Sequence, residues 1–103
     1  MPIINHNPDE ELVIPETGKF AVMFHLPGHC AGCKVALANL EKKKLEDVIV
    51  TLVDAEDEKN KSIVESMGAS TAPTIILFVN GEEYGRMSGL KEFLMKHKSL
   101  LGE

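Results

Sequence analysis

The sequence contains only two cysteines and four histidines, and it has no tryptophan. A structural zinc ion needs four tetrahedral ligands, which two cysteines and scattered histidines supply poorly. No apolar run approaches the ~20 residues that a membrane-spanning helix requires. We therefore expect neither a structural metal site nor a membrane partner.

Positive charge is also scarce, because 16 acidic residues outnumber 11 basic ones and leave a net charge of -5. A general nucleic-acid binder needs a basic patch that neutralises phosphates. The longest basic run, Lys42-Lys43-Lys44, falls on a predicted helix, where we interpret it as a solvated face. Nucleic acid is therefore not an expected partner.

The N-terminal segment, MPIINHNPDEELVIPETGK, lacks the pattern of an export signal. It carries acidic residues in place of a basic region followed by an apolar stretch. We therefore expect a cytoplasmic protein, with an exported form whose signal has been removed as the alternative. In a reducing cytoplasm, a C-x-x-C pair indicates catalysis or metal binding rather than a permanent structural disulfide.

Alternating strand and helix patterns fill the chain. Its 103 residues, 44% of them hydrophobic, fit one compact domain over residues 1–103. A helix is expected to begin at Cys30, with further helices at 56–68 and 88–101. The first residues are interpreted as an edge strand at 2–4 and a short helix at 9–14. The main strands are predicted at 19–26, 47–55, 73–79 and 82–88.

The connections between these elements predict the sheet. A strand, a helix and a second strand in succession favour parallel pairing. Asn80-Gly81 between two strand-like runs predicts a type I′ hairpin, because both residues tolerate a positive φ. The sequence therefore predicts an α/β fold with a central mixed sheet of four to five strands and helices on both faces.

Both cysteines lie in GHCAGCK, residues 28–34, where a strand ends and a helix begins. The free N–H groups and the dipole at a helix N-terminus stabilise a thiolate and lower the pKa of a thiol there below ~8.5. Cys30 is expected at or near the N-cap, closest to the surface, and gains most from this effect. Cys33 lies one turn further along the apolar stripe of the helix and is expected to be shielded.

This asymmetry predicts a mechanism of thiol–disulfide exchange. The Cys30 thiolate would attack a substrate disulfide and form a mixed disulfide. Cys33 would then attack the Cys30 sulfur and release the reduced substrate. A pair of buried, inert cysteines is the alternative.

The four histidines receive different interpretations. His29 is a candidate tuning residue, because a cation next to Cys30 would stabilise its thiolate. His25 is interpreted as a partly buried strand residue, and His6 and His97 as surface residues.

A second segment, STAPTIILFVNGEEYGRMSG, makes the chain resemble the thioredoxin family over most of its length. In thioredoxins a cis proline is followed by threonine, an apolar strand, an Asn-Gly hairpin and a further glycine. Here Pro73, Thr74, the strand at 75–79, Asn80-Gly81 and Gly89 fall at matching intervals.

The resemblance implies the thioredoxin fold and a Cys30/Cys33 dithiol–disulfide cycle, with a cis Pro73 packed against the cysteines. The backbone of Ala72 would bind an extended substrate segment like an added strand, so Thr71, Ala72 and Pro73 are the implied substrate-binding residues. The implied partners are disulfide-containing proteins and an electron source, either a separate thiol reductase or glutathione. No cofactor is needed within the chain, and we expect a monomer.

Four positions depart from the thioredoxin pattern. The usual tryptophan before the first cysteine is His29, the usual Gly-Pro between the cysteines is Ala31-Gly32, and a helix-kinking proline is Ala38. A buried aspartate that assists proton transfer at the second cysteine is replaced by Phe24. The fold should tolerate these changes, but Cys33 is left without an evident base unless His29 or water serves.

Three other functions stay open on sequence grounds. Residues 71–73 resemble the Thr-Val-Pro segment that receives glutathione in glutaredoxins. The Gly-Gly pair that binds glutathione in that family is matched here only by Ser88-Gly89. GHCAGC also resembles the loop in heavy-metal-associated domains whose two thiolates hold Cu(I), but those domains lack the motif from Pro73 to Gly89. The third is a non-enzymatic adaptor of thioredoxin fold, against which the retention of both cysteines counts.

Overall fold

A computed structural model describes residues 3–42 and 48–101, and its five strands form one mixed sheet. The order of the strands in the sheet is β1-β3-β2-β4-β5. The strands are β1 (Ile3–Asn5), β2 (Lys19–His25), β3 (Val48–Asp54), β4 (Thr74–Val79) and β5 (Glu82–Ser88).

Strand β2 lies at the centre of the sheet and runs parallel to β3 and antiparallel to β4. In this register Phe24 lies opposite Val53 on one side and Thr74 on the other, and His25 lies opposite Asp54. The C-terminal end of β2 therefore lies next to the end of β3 and the beginning of β4.

Alternate residues of β2 face two different apolar layers. Phe20, Val22 and Phe24 belong to one core cluster, and Ala21 and Met23 belong to the other. All five are buried. Burial on both sides explains why the strand is apolar throughout rather than alternating with polar residues.

Three helices cover the two faces of the sheet: α1 (Ala31–Lys42), α2 (Lys61–Ser66) and α3 (Leu90–Leu101). Helices α1 and α3 pack on the face that carries Ala21 and Met23. Helix α2, which follows a 3₁₀ turn at Glu58–Asn60, packs on the opposite face through Ile63 and Val64. The predicted α/β fold, with a mixed sheet and helices on both faces, is confirmed.

The hairpin between β4 and β5 is also confirmed. Asn80 has a φ of 51° and Gly81 a φ of 84°, which are the positive values that a type I′ turn requires. The Asn80 side chain adds a tertiary contact, because its Oδ1 accepts a hydrogen bond of 3.0 Å from the Gly18 N–H.

The N-terminal region is partly as predicted. Strand β1 pairs in parallel with β3 at the edge of the sheet, but the helix predicted at residues 9–14 is wrong. Asn7 starts a turn there, with its Oδ1 accepting from the Asp9 N–H at 2.9 Å. Pro15 disfavours a helical conformation at Ile14, and this segment remains irregular.

His97 was predicted at the surface, but it is buried with 8% exposure and stacks on Phe93 at 5.0 Å between ring centroids. In the basic run, Lys42 is exposed at the end of α1, whereas Lys43 and Lys44 lie outside the described residues.

We predict that Phe24→Ala destabilises the protein by about 3–5 kcal/mol, because it removes a fully buried aromatic ring and leaves a cavity. Met95→Ala is a suitable control, since Met95 is 73% exposed and its truncation should change stability by no more than about 0.5 kcal/mol. Urea denaturation measures both changes. Equal losses in the two variants would contradict the observed core.

Candidate functional site

Cys30 lies at the junction between β2 and α1. A turn connects the two elements, with the His29 N–H donating to the Leu26 carbonyl at 3.2 Å. The Cys30 carbonyl accepts from the Lys34 N–H at 3.2 Å, which is the first hydrogen bond of the helix. The Cys33 N–H donates to the Cys30 Sγ at 3.0 Å. Cys30 is therefore the N-cap residue of α1, and its sulfur receives one of the free N–H groups of the helix end.

The two cysteines are joined by a disulfide, and their Cα atoms are 5.1 Å apart. Cys30 is half-buried, whereas Cys33 is only 3% exposed and belongs to the core cluster under α1. The structure thus gives the pair the predicted asymmetry in exposure: an attacking protein thiol could reach Cys30 but not Cys33.

The loop before β4 packs against the first turn of α1. The Ala72–Pro73 peptide bond is cis, as the resemblance implied. A Cβ atom on Gly32 would lie 3.5 Å from Pro73 Cδ and 3.3 Å from Leu90 Cβ. The close approach of these three residues therefore favours glycine between the two cysteines.

Hydrogen bonds fix the backbone on both sides of Ala72. The Pro73 carbonyl accepts from the Gly89 N–H at 2.6 Å, and the Thr71 carbonyl accepts from the Thr74 hydroxyl. Within residues 3–42 and 48–101, the N–H and C=O of Ala72 have no hydrogen-bond partner. Ala72 is half-buried and Thr71 is exposed, so this backbone lies at the rim of the site.

His29 lies next to a partner that the sequence did not indicate. Its Nε2 is 3.3 Å from the Glu56 carboxylate, and its side chain is 70% exposed. Glu56 follows β3, which the parallel pairing of β2 and β3 brings to the same end of the sheet. When His29 is protonated, its positive charge forms an ion pair with Glu56, and this pairing weakens the effect of His29 on Cys30.

Phe24 and His25 face opposite sides of the sheet at the end of β2. Phe24 is fully buried in the apolar cluster on the α2 side. His25 is half-buried, and desolvation lowers the pKa of its imidazole, while the Asp54 carboxylate opposes this shift. His25 is accordingly neutral at pH 7.

Residues 3–42 and 48–101 contain neither a cluster of metal ligands nor a membrane-spanning helix. No three side chains among histidine, cysteine, aspartate and glutamate lie together in an arrangement that would hold a metal ion. No helix in these segments combines the length and the apolar character needed to cross a membrane.

Comparison with known proteins gives one consistent relationship, although no family model matches the chain. Over 63 residues the chain is 35% identical to a thioredoxin of Chlamydia muridarum, a match that covers 61% of this chain and 62% of that protein's length. The structure superposes on thioredoxin f2 of Chlamydomonas reinhardtii with a TM-score of 0.80, at 23% identity, over 97% of this chain and 94% of that one. The long form of spinach chloroplast thioredoxin f gives a TM-score of 0.78, at 19% identity, over 99% and 88% of the two chains.

The chain has the thioredoxin fold, and its resemblance to thioredoxins is confirmed. This chain spans 62% of the length of the curated thioredoxins that it matches. Within this thioredoxin fold, the C-x-x-C pair and the cis-proline loop lie together at one end of the sheet.

We predict different reactivities for the two thiols of the reduced protein. In a Cys33→Ser variant, alkylation of Cys30 by iodoacetamide should titrate below ~8.5, the pKa of a free thiol, because the helix N-terminus stabilises the thiolate. In a Cys30→Ser variant, alkylation of Cys33 should be much slower, because Cys33 is buried. A Cys30 titration at or above ~8.5 would contradict this account.

The same assay tests His29 as a tuning residue. In the Cys33→Ser background, Glu56→Gln should lower the pKa of Cys30, because it removes the carboxylate that neutralises the His29 imidazolium. His29→Gln should raise the pKa of Cys30, because it removes the cation. Glu58→Gln is the matched control, because Glu58 is an exposed acid close in sequence that has no contact with His29. An identical Cys30 pKa in all four proteins would show that His29 has no tuning role.

Proposed function

We propose that this chain is a thiol–disulfide oxidoreductase that reduces protein disulfides through a Cys30/Cys33 dithiol–disulfide cycle. One observation carries the proposal: the sulfur of the half-buried Cys30 accepts the Cys33 N–H at a helix N-terminus, and the sulfur of the buried Cys33 is bonded to it. Such a site contains both an attacking and a resolving thiol. The likeness to thioredoxins supports the same activity.

The cycle begins with the reduced chain. The Cys30 thiolate attacks one sulfur of a substrate disulfide, and the other substrate sulfur leaves with the electron pair of the broken bond. Cys33 then attacks Cys30 Sγ, which releases the second substrate thiol and forms the Cys30–Cys33 disulfide. The substrate gains two electrons, and the two cysteines lose them.

The substrate side of the site is assigned to Thr71, Ala72 and Pro73. The backbone of Ala72 offers one N–H donor and one C=O acceptor at the rim, next to the first turn of α1. An extended peptide segment that pairs with this backbone would bring its disulfide towards Cys30 in a defined orientation. We infer that main-chain hydrogen bonds, which are independent of sequence, provide part of the affinity for substrates.

The cycle needs an external source of electrons, since the chain itself supplies only the dithiol. We infer that a separate thiol reductase or glutathione reduces the Cys30–Cys33 disulfide. The proposed setting is the cytoplasm, where the chain would act as a monomer in electron transfer and redox homeostasis. Glutathione-dependent activity of glutaredoxin type and Cu(I) binding are the alternatives that the tests below distinguish.

We predict that the wild-type chain accelerates the reduction of insulin disulfides by dithiothreitol, measured by the turbidity of the released B chain. Cys30→Ser should abolish the acceleration, because the attacking sulfur is lost. Cys33→Ser should accumulate a mixed disulfide with the substrate, which mass spectrometry detects. The double variant gives the uncatalysed background.

The result that would contradict the proposal is insulin reduction at the background rate by a folded wild-type chain. Activity with glutathione and a low-molecular-weight disulfide, but not with insulin, would favour the glutaredoxin alternative. Stoichiometric Cu(I) binding without any reductase activity would favour the metal-binding alternative.

A further inference from the structure

Cys33 lies among apolar side chains, where a thiolate is disfavoured. It is 3% exposed and packs in one core cluster with Ala36 and Leu40. Burial of this kind raises the pKa of a thiol. Phe24, where thioredoxins have an aspartate, faces the other side of the sheet. A proton acceptor for Cys33 therefore has to come from a different position.

His25 lies on the same side of the sheet as Cys33. It continues the alternation of Ala21 and Met23, which face the cluster under α1. His25 and Cys33 both line a cavity of about 520 Å³ between α1 and the end of the sheet, next to Pro27. A cavity of this size, with polar groups in its wall, is large enough for several water molecules.

A second cavity, of about 310 Å³, also has His25 in its wall, together with Asp54. It is lined by two residues with buried polar atoms, His6 Nε2 and Asn60 Oδ1, that have no partner among the described residues. Ordered water normally satisfies such atoms. His25 thus connects the cavity that contains Cys33 to a polar cavity that suits water.

The protonation state of His25 suits an acceptor. Desolvation keeps its pKa below the ordinary value of 6.5, so that at pH 7 one ring nitrogen has a free lone pair. Asp54 lies opposite His25 in the strand register, and its negative charge favours the imidazolium. The neutral ring is therefore available, and its cation would be partly stabilised once it forms.

We propose that His25 accepts the proton of Cys33, through water in their shared cavity, when Cys33 attacks the mixed disulfide. The inference rests on the proposed function. In this step the Cys33 S–H bond breaks and a Cys33–Cys30 S–S bond forms. The bond between Cys30 and the substrate sulfur breaks at the same time. The substrate leaves as a thiolate with that electron pair and takes a proton from the imidazolium or from solvent.

Other ionisable groups face the same cavities and affect the pH profile. Lys34 and Glu41 come from α1 and are exposed, so solvent screens them. Asp57 follows β3 and contributes a carboxyl group to the wall of the second cavity. His6, which follows β1, is the other imidazole among the described residues that line these two cavities. His6→Gln is therefore the matched control.

The test uses the full chain and 5,5′-dithiobis(2-nitrobenzoate), and stopped-flow absorbance follows the release of thionitrobenzoate. The first equivalent reports attack by Cys30, and the second reports attack by Cys33 on the mixed disulfide. The leaving thiol ionises readily and needs no proton. The rate of the second phase therefore depends on deprotonation of Cys33.

In His25→Gln we expect an unchanged first phase and a second phase slowed by about 10-fold or more at pH 7. This difference should shrink as the pH rises beyond ~8.5, the pKa of a free thiol, and should disappear only once the buried Cys33 thiol, whose pKa is higher, ionises without help. His25→Phe, which fills the site with a ring that does not titrate, should give the same profile. His6→Gln should match the wild type at every pH.

Two results would overturn the inference. One is a second phase in His25→Gln that equals the wild type at all pH values. The other is a second phase slowed by the same factor at every pH, because a packing defect does not disappear when the thiol ionises. If the wild type itself released no second equivalent, the proposed function would be refuted instead.

Discussion

The pairing of β2 with its two neighbours determines where each part of the site lies. Parallel pairing with β3 places Asp54 and the following Glu56 at the end of the sheet where β2 stops. Antiparallel pairing with β4 brings Thr74, and hence the Ala72–Pro73 loop, to the same end. Because β2 is buried on both faces, a one-residue shift in its register would exchange the side chains that face the two apolar layers and disrupt the packing of both. The site is therefore held in place by the core.

The two cysteines of this turn have different surroundings. Cys30 is half-buried at the helix end, where free N–H groups stabilise negative charge. Cys33 lies in the core, where the thiol form is favoured. In the proposed cycle, the same short helical turn thus provides the attacking sulfur of Cys30 and the resolving sulfur of Cys33, which needs help to lose its proton.

Much of this organisation could be predicted from the sequence, because the signals are local. The apolar run predicts the buried strand β2, and the Asn80-Gly81 pair predicts the turn, because both patterns consist of residues that are adjacent in the sequence. The sequence pattern likewise predicts the position of the cysteines at a strand–helix junction. The cis conformation of the Ala72–Pro73 bond was implied only by the resemblance to thioredoxins, because no local pattern indicates it.

What could not be predicted depends on contacts between distant segments. The burial of His97 follows from the stacking of its ring on Phe93 under the sheet, and its own sequence neighbourhood is polar. The contact between His29 and Glu56 requires the register of β2 and β3. Residues 9–14 contain a helix-like pattern, but Asn7 and Pro15 favour a turn and an irregular chain at its two ends.

Phe24, which stands where thioredoxins have an aspartate, illustrates a similar point about polar groups. In this chain the polar side chain at the end of β2 is that of His25, the next residue, which faces the opposite side of the sheet from Phe24. That face is the one covered by α1, which carries Cys33. The sequence shows both residues, but only the three-dimensional arrangement shows that His25 and Cys33 line one cavity.

The most direct test of the central claim is the redox equilibrium of Cys30 and Cys33. The chain would be equilibrated in glutathione or dithiothreitol buffers, and alkylation followed by mass spectrometry would count free thiols. We predict that both thiols disappear together in one two-electron step, with a potential nearer ~-270 mV than ~-120 mV, as suits a reductant of protein disulfides. Oxidation of Cys30 alone, as a glutathione adduct with Cys33 still free at equilibrium, would contradict the account.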